Sequence, residues 1–489
     1  MSTYKTKQNK GCKMMKRREF LTLSSVTALW LVTGCGGGTS SDSTSAITKE
    51  KSLPIPELLS PVTKNGVQHY DLNVQKAQHS FFDGVLTDTY AINSTSTSNT
   101  YLGPTLLMQN GDKVSVNYTN KLQEDITMHG HGMHVPPSMD GTAHQPFAPN
   151  QTWSAQYTVN QKACTNWYHP HTMDKTAPQV YQGLAGLIIV EDAESKMLDL
   201  PKRYGVDDIP LILQDRNFSN GQIDYNPSMR EIMHGYTSDT FIANGAIEPT
   251  LDVEAKEVRF RILNGSNSSV YTLAFENGQS FKQIATDNAF LESPVTLTSL
   301  RLSPTERAEI VIDFSNAQGQ STILKELNYN KKFLTINVSQ KAQTKTTLPS
   351  KLITLEKFNP SDAKRTRPFI LSGMMGNFKI NRKSMDINRI DERVPLGDVE
   401  IWEIINNMMV DHNFHIHATH FMLIERNGSS TNVPANEKGY KDVVYIPANE
   451  SVKFIVKMVD YKDTTIPYMY HCHFLEHEDA GMMGQFLVT

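Results

Sequence analysis

Residues Tyr470–Met483 read YHCHFLEHEDAGMM. A cysteine stands between two histidines, a third histidine follows four residues after the second, and Met482 lies five beyond that. Along an extended chain side chains alternate faces, so Cys472 faces one way while His471 and His473 face the other. One three-residue segment can therefore serve two different centres. His477 and Met482, on the turn that follows, add an imidazole and a thioether to the thiol side.

Three other histidine clusters lie upstream. They are MHGHG (His129, His131), WYHPH (His169, His171) and DHNFHIH (His412, His415, His417), and with the C-terminal group they hold 10 of the 16 histidines. On a strand both imidazoles of a His-x-His pair point to the same face, so four such pairs can surround one site. His412 joined to Cys472, His477 and a distant Met482 makes two imidazoles, one thiolate and one thioether, the donor set of single-electron copper centres. Zinc is the competitor. Structural zinc, however, closes with four ligands in one compact module, commonly with two or more cysteines. Eight paired histidines from both ends of the chain are too many for one zinc.

Between the clusters, short runs rich in Val, Ile, Thr and aromatics recur between Gly, Asn, Asp and Pro, as in PTLLMQNGDKVSVNYTN, EVRFRILNGS and RAEIVIDFS. Alternation without a long helical period predicts an all-β chain of β-sandwiches. The strands in GDKVSVNYTN, AKEVRFRILNGS and PANESVKFIVKMVD look like one strand repeated in three units. The expected division is 61–195, 196–345 and 346–489, with a polar linker around SQKAQTKTTLPSKL. Helix is expected only in connections such as SMREIMHG.

At the N-terminus, KRREFLTLSSVTALWLVTGC joins Arg17 and Arg18 to a 13-residue apolar run, Phe20–Val32. That is short of the ~18 residues of a membrane span and reads as a twin-arginine export signal over 1–34. The ending LVTGC resembles a lipoprotein box with Cys35 as the lipidated residue, and the GGGTSSDSTS that follows reads as a flexible tether over 35–60. A periplasmic or cell-envelope location, held to a membrane surface through Cys35, is the expectation. Seven of the 47 basic residues and one of the 51 acidic ones lie in 1–34, so the remainder carries a net charge of −10. Such a surface excludes nucleic acid as a partner and attracts cations. Only Cys164 and Cys472 remain after Cys12 and Cys35, so no disulfide framework is expected. Cys164 reads as a buried small apolar residue.

With its four motifs in order, the chain resembles bacterial three-domain multicopper oxidases of the laccase and cuprous oxidase type. The resemblance implies three cupredoxin-like Greek-key β-sandwich domains and four copper ions. On it, His412, Cys472, His477 and Met482 match the type 1 ligands, and His129 and His415 the type 2 ligands. His131, His169, His171, His417, His471 and His473 match the type 3 pair. It implies one-electron oxidation of a donor at the type 1 copper, with electrons passing from Cys472 to His471 and His473 and four of them reducing O2 to water. Asp140 and Glu478 match the acids that supply protons in that family. Two positions depart from the pattern, Gly130 where Trp is usual and Asn413 where Pro is usual, and both are expected to loosen copper retention without abolishing it. His134, His144 and His420 flank the motifs in supporting or surface roles.

The donor is less legible. The chain carries 21 methionines but no long Met-rich insert. Met408 and Met409, just before His412, are candidates with Asp411 for a substrate Cu(I) site, which would give a role in copper tolerance. Phenols and Fe(II) are the alternative donors, and a non-catalytic envelope scaffold or copper-binding protein is the alternative of another class. A monomer is expected from the resemblance.

Overall fold

The computed structural model describes residues 51–342, 347–374 and 376–489. The export segment, Cys35 and most of the tether lie outside the described residues, as do 343–346 of the linker and Met375. The expectation of an all-β chain holds: helices are short, namely Thr176–Tyr181, Ala193–Met197, Met229–His234 within the SMREIMHG stretch, and Leu475–Asp479. No helix among the described residues is long and apolar enough to cross a membrane.

The strands form three sandwiches in chain order. In the first, the sheet Leu58–Leu59, Thr105–Gln109, Gly186–Glu191, Cys164–His169, His129–His131 faces a second one built on Val67–His79, Lys113–Asn120 and Thr152–Thr158. In the second, a seven-stranded sheet around Glu257–Asn264 faces a five-stranded sheet around Ser321–Glu326. In the third, the sheet Asn377–Ile380, Arg365–Met374, Val399–Asn406, Ser451–Lys457, Phe421–Arg426 faces Glu392–Val394, Met483–Val488, Asp463–His471, His412–Ile416, Val443–Ile446. Each sandwich encloses its own apolar core between its sheets, as alternating strands with one apolar face require. Residues 58–59, which composition assigned to the tether, pair in parallel with Thr105 and Leu106, and Leu53 is buried.

The repeat read from the sequence needs one correction. Lys113–Asn120 runs parallel to Val67–His79 and antiparallel to Thr152–Thr158. Glu257–Asn264 likewise runs parallel to Asp208–Arg216 and antiparallel to Arg307–Asp313. In the third sandwich the strand with those two neighbours is Val399–Asn406, parallel to Arg365–Met374 and antiparallel to Ser451–Lys457. Ser451–Lys457 is therefore the counterpart of Thr152–Thr158 and Arg307–Asp313. Adjacent strands of one sheet share the same alternation, so pattern alone could not tell them apart.

Two registers position the histidines. His129–His131 pairs antiparallel with Cys164–His169 and sets His129 opposite His169. His412–Ile416 pairs antiparallel with Asp463–His471 and sets His415 opposite His471. Beneath the second pair lies an aromatic cluster. Phe414 stacks on Tyr470 at 5.7 Å, and Trp402 lies 4.5 Å from Phe369, itself 4.9 Å from Tyr470. Burial of one such ring contributes ~1.5–3 kcal/mol, so both ligand-bearing strands are anchored one residue from their histidines.

Candidate metal centres

The eight histidines of the four His-x-His pairs converge between the first and third sandwiches. All are buried. His131 stacks on His415 at 3.8 Å and His129 on His417 at 4.2 Å, which brings the two ligand strands face to face. Trp167 stacks on His169 at 4.0 Å and walls one side.

Hydrogen bonds fix which ring nitrogen is free. A carbonyl can only accept, so an imidazole nitrogen bonded to one carries its proton there and leaves a lone pair on the other. His129 Nδ1 donates to the Asp140 carbonyl at 2.6 Å, His415 Nδ1 to the Asp442 carbonyl at 2.8 Å, and His169 Nδ1 to the Pro170 carbonyl at 2.7 Å. His471 Nδ1 donates to the Cys472 carbonyl at 3.0 Å, and His417 Nδ1 to the Asp140 carboxylate at 2.8 Å. His131 is held through Nε2 by the Asp442 carboxylate at 3.0 Å. Six imidazoles thus aim a lone pair into the same space. On His129, His169 and His415 that atom is Nε2, on His131 it is Nδ1, and none of the four has a hydrogen-bond partner; His473 has none at either nitrogen.

His471 Nε2 lies 3.0 Å from His417 Nε2 and 3.2 Å from His171 Nε2. Two lone pairs at that distance repel unless a cation sits between them. Two nitrogens each ~2.0 Å from one metal ion stand about 3 Å apart, so the arrangement fits metal. Burial lowers the pKa of His417 and of His471 to about 3, which keeps the lone pairs available.

On the other side of Cys472 a smaller group gathers. His412 Nδ1 and His477 Nδ1 are 3.0 Å apart, and Cys472 Sγ is 3.5 Å from the first and 3.7 Å from the second. These separations suit two nitrogens and a sulfur around one ion, with metal–nitrogen bonds of ~2.0 Å and a metal–sulfur bond of ~2.3 Å. Burial pushes the Cys472 thiol up to about 12, and the main-chain N–H groups of Phe474 and Asn413 act against it. A bound cation would be needed to keep a thiolate there near neutrality. Met482 is buried in the same core, and its carbonyl accepts the Cys472 N–H at 3.1 Å.

Three-ligand groups form at both places. His412, Cys472 and His477 make one; His171, His417 and His471, and His129, His131 and His169, are among the others. The donor chemistry, imidazole-rich with a single thiolate, is that of copper. Three family models, each described as "Multicopper oxidase", match residues 73–195, 213–347 and 349–489. The chain belongs to the multicopper oxidase family. It is an oxidase with O2 as electron acceptor.

The oxidase is 37% identical to multicopper oxidase mco of Staphylococcus haemolyticus, over 87% of this chain and 89% of that one. It is also 35% identical to the cell division protein FtsP of Sodalis glossinidius, over 89% and 92%. The solved structure of a laccase-like multi-copper oxidase CueO from lignin-degrading Ochrobactrum sp. superposes with a TM-score of 0.82 at 33% identity, over 89% of this chain and all of that one. That enzyme is described with oxidase activity towards lignin model compounds and lignosulfonate.

Both expected acids face the histidine cage of the oxidase. Asp140 Oδ2 accepts from His417, while Oδ1 stands 3.2 Å from His129 Nδ1 and has no hydrogen-bond partner. Burial raises the Asp140 pKa, but His417 and His129 outweigh it and hold the carboxyl well below its ordinary range. Glu478 lies 3.2 Å from His471 Nδ1 and 3.6 Å from His171 Nε2, with neither oxygen hydrogen-bonded. Burial raises its pKa and favours the protonated carboxyl.

The methionine group is not brought together in the same way. Met408 is 8% exposed and its sulfur lies 3.1 Å from His412 Nε2. Met409 is 83% exposed, and its sulfur accepts from Asn449 Nδ2 at 3.5 Å. Asp411 accepts the Tyr445 hydroxyl at 2.6 Å and the Ala448 N–H at 3.0 Å. Met409, Asp411, Tyr445 and Phe474 line a cavity of about 480 Å3, and the Phe474 ring is 5.4 Å from that of His477.

Among the flanking residues, His134 pairs with Asp460 at 2.7 Å, and His420 stacks on Tyr440 at 3.8 Å. His144 hydrogen-bonds Gln485. Cys164 is buried and unbridged. Sequence reasoning missed Asp442 and Arg307. Asp442 holds His131 by its carboxylate and His415 by its carbonyl, and Arg307, from the second sandwich, grips Asp442 through both guanidinium nitrogens at 2.8 and 2.5 Å. Gly132 makes room for this contact: its φ is +80°, and a Cβ there would meet Asn166, Asp442 and Arg307 at 2.6–2.8 Å. The glycine after a His-x-His pair was the only signal in the sequence.

Proposed function

We propose that this oxidase binds four copper ions and takes electrons singly from a small donor, Cu(I) or a phenol, outside the cytoplasm. In this reading His412, Cys472, His477 and Met482 hold the type 1 ion. His129 and His415 hold the type 2 ion. One type 3 ion falls to His131, His169 and His473, and the other to His171, His417 and His471. Copper there would supply one-electron acceptance on the sulfur side and four-electron reduction of O2 to water among the histidines.

The observation that carries the proposal is the Cys472 triplet. Its sulfur stands among two imidazole nitrogens, and its covalent neighbours His471 and His473 both line the histidine cage. A few bonds of main chain join the two centres. Protein groups manage the protons. Glu478, whose pKa burial raises, faces the cage through its carboxyl and would supply protons to it. Asp140, held ionised by His417 and His129, orients both rings.

Copper counting with absorption and EPR spectroscopy tests this reading. Four ions per chain with a strong thiolate-to-copper band are expected, and a colourless chain holding one metal or none would return it to the non-catalytic scaffold class. Cys472→Ser should abolish the band and the oxidase activity together while the fold survives.

The cavity beside Phe474 is where the donor would approach. Met409 offers an exposed thioether there, and Met408 would pass the electron on through its contact with His412. Supporting Cu(I) as donor and a role in copper tolerance are these soft sulfurs; supporting a phenol is the described activity of the Ochrobactrum relative. Met408→Ser combined with Met409→Ser should lower kcat/KM for Cu(I) about tenfold or more while leaving phenol oxidation within about twofold. Equal losses for Cu(I), Fe(II) and phenol would dismiss the methionine site.

A further inference from the structure

Arg259, Arg261 and Arg307 of the second sandwich each grip a carboxylate. Arg301, on the strand Ser299–Leu302 of the same sandwich, does not. Its Nη2 is 3.6 Å from Glu437 Oε1, beyond hydrogen-bond reach, and Glu437 already gives Oε2 to Arg426. Among the described residues no group accepts a hydrogen bond from the Arg301 guanidinium.

The cation is held all the same. Its central carbon lies 4.6 Å from the centroid of the Tyr445 ring in the third sandwich, and that ring is fixed by its hydroxyl, which donates to Asp411 at 2.6 Å. A stacked guanidinium loses much of its freedom to swing while its N–H edges stay open, and the Arg301 side chain is 43% exposed. Arg301, Tyr445 and Phe474 line the same cavity of about 480 Å3, a size within the ~300–1,000 Å3 of small-molecule sites. The Phe474 ring is 5.4 Å from that of His477 and 6.4 Å from that of His412. One cavity thus presents an unbonded planar cation and the edge of the sulfur centre. Asp411, the acid in that cavity, has both oxygens engaged by Tyr445 and Ala448.

We propose that Arg301 is a specificity residue for the electron donor: it holds the carboxylate of a phenol that carries one, with the aromatic ring toward Phe474. The inference rests on the reading above that the donor approaches through this cavity. A carboxylate matches the two parallel N–H groups of a guanidinium edge. On oxidation one electron passes to the oxidase and the hydroxyl proton to solvent, leaving a phenoxyl radical, and the carboxylate keeps its charge throughout. Its contact with Arg301 is therefore the same before and during electron transfer, so it acts on KM rather than on kcat. Long-range repulsion by the net negative chain sets how often such a donor arrives, and Arg301 sets how long it stays.

Binding to the copper-free full-length chain tests the site without any redox chemistry. 4-Methoxybenzoate, a carboxylate with no phenol to oxidise, should bind the parent more tightly than its uncharged methyl ester in calorimetry. Arg301→Gln should weaken the carboxylate about tenfold relative to the ester, and Arg301→Lys, which keeps the charge without the fork, should fall between. In the copper-loaded oxidase, with 4-hydroxy-3-methoxybenzoate and its methyl ester as donors, Arg301→Gln should lower the carboxylate-to-ester ratio of kcat/KM about tenfold, through KM.

Equal binding of 4-methoxybenzoate and its ester by the parent, or a ratio that Arg301→Gln leaves unchanged, would overturn the proposal and leave the copper reading standing. Arg301-dependent binding in a chain that oxidises neither phenol would keep the carboxylate site and sink the donor reading. The thermal midpoint of Arg301→Gln should match that of the parent, because the side chain is half-exposed and makes no hydrogen bond. If it does not, the comparison of carboxylate and ester on the parent and on Arg301→Lys decides.

Discussion

At the scale of the residue, the site is governed by where protons sit. His417, His471 and His477 have pKa values lowered to about 3 by burial, whereas in an unfolded chain imidazoles titrate near 6.5. Between pH 6.5 and 3 the unfolded state therefore binds protons that the folded state refuses. Stability supplied by these groups is fully present above about pH 6.5 and is lost as pH falls, by ~1.4 kcal/mol per pH unit for each histidine. The thermal midpoint of the copper-free protein should drop steeply through that window, and copper should flatten the curve by competing with protons. Calorimetry of both forms at several pH values checks it. The identity of the histidines was legible because a His-x-His pair on a strand has a fixed geometric meaning. Asp442 was not legible: it acts on His415 from 27 residues away, through the nitrogen that faces away from the cage.

At the scale of the element, register does the positioning. Setting His129 opposite His169 and His415 opposite His471 makes each histidine pair answer to its neighbour strand, and a slip by one residue would turn every ring away. The second sandwich gives none of the histidines, yet it supplies Arg307, whose charge is buried against Asp442 and within 3.9 Å of Asp287. Removing one member of a buried pair leaves the other uncompensated, at a cost of ~3–5 kcal/mol. Arg307→Leu should lower the urea midpoint of the copper-free protein accordingly, and Arg307→Lys, which keeps the charge without the two-pronged geometry, should lose less. Strand existence and the all-β class were readable from alternation. The counterpart of Lys113–Asn120 in the third sandwich was misread because neighbouring strands carry the same alternation; only the mix of one parallel and one antiparallel partner distinguishes Val399–Asn406.

At the scale of the whole molecule, charge shapes the encounter with the donor. Residues 35–489 carry a net −10, a field that draws cations toward the surface. With a cationic donor kcat/KM should fall as ionic strength rises, and with an anionic phenol it should rise or stay level. A salt series with one donor of each sign measures it. The pairing of distant ends has a further consequence. His171 and His471 meet across 300 residues of chain, so a ribosome that has released the first sandwich has made only half of the cage. Copper reaching such a nascent chain would find isolated histidine pairs and nothing of the sulfur centre, because His412, Cys472 and His477 are still to be added. The cage is thus completed only after the whole chain has been made, by long-range pairing of the third sandwich with the first.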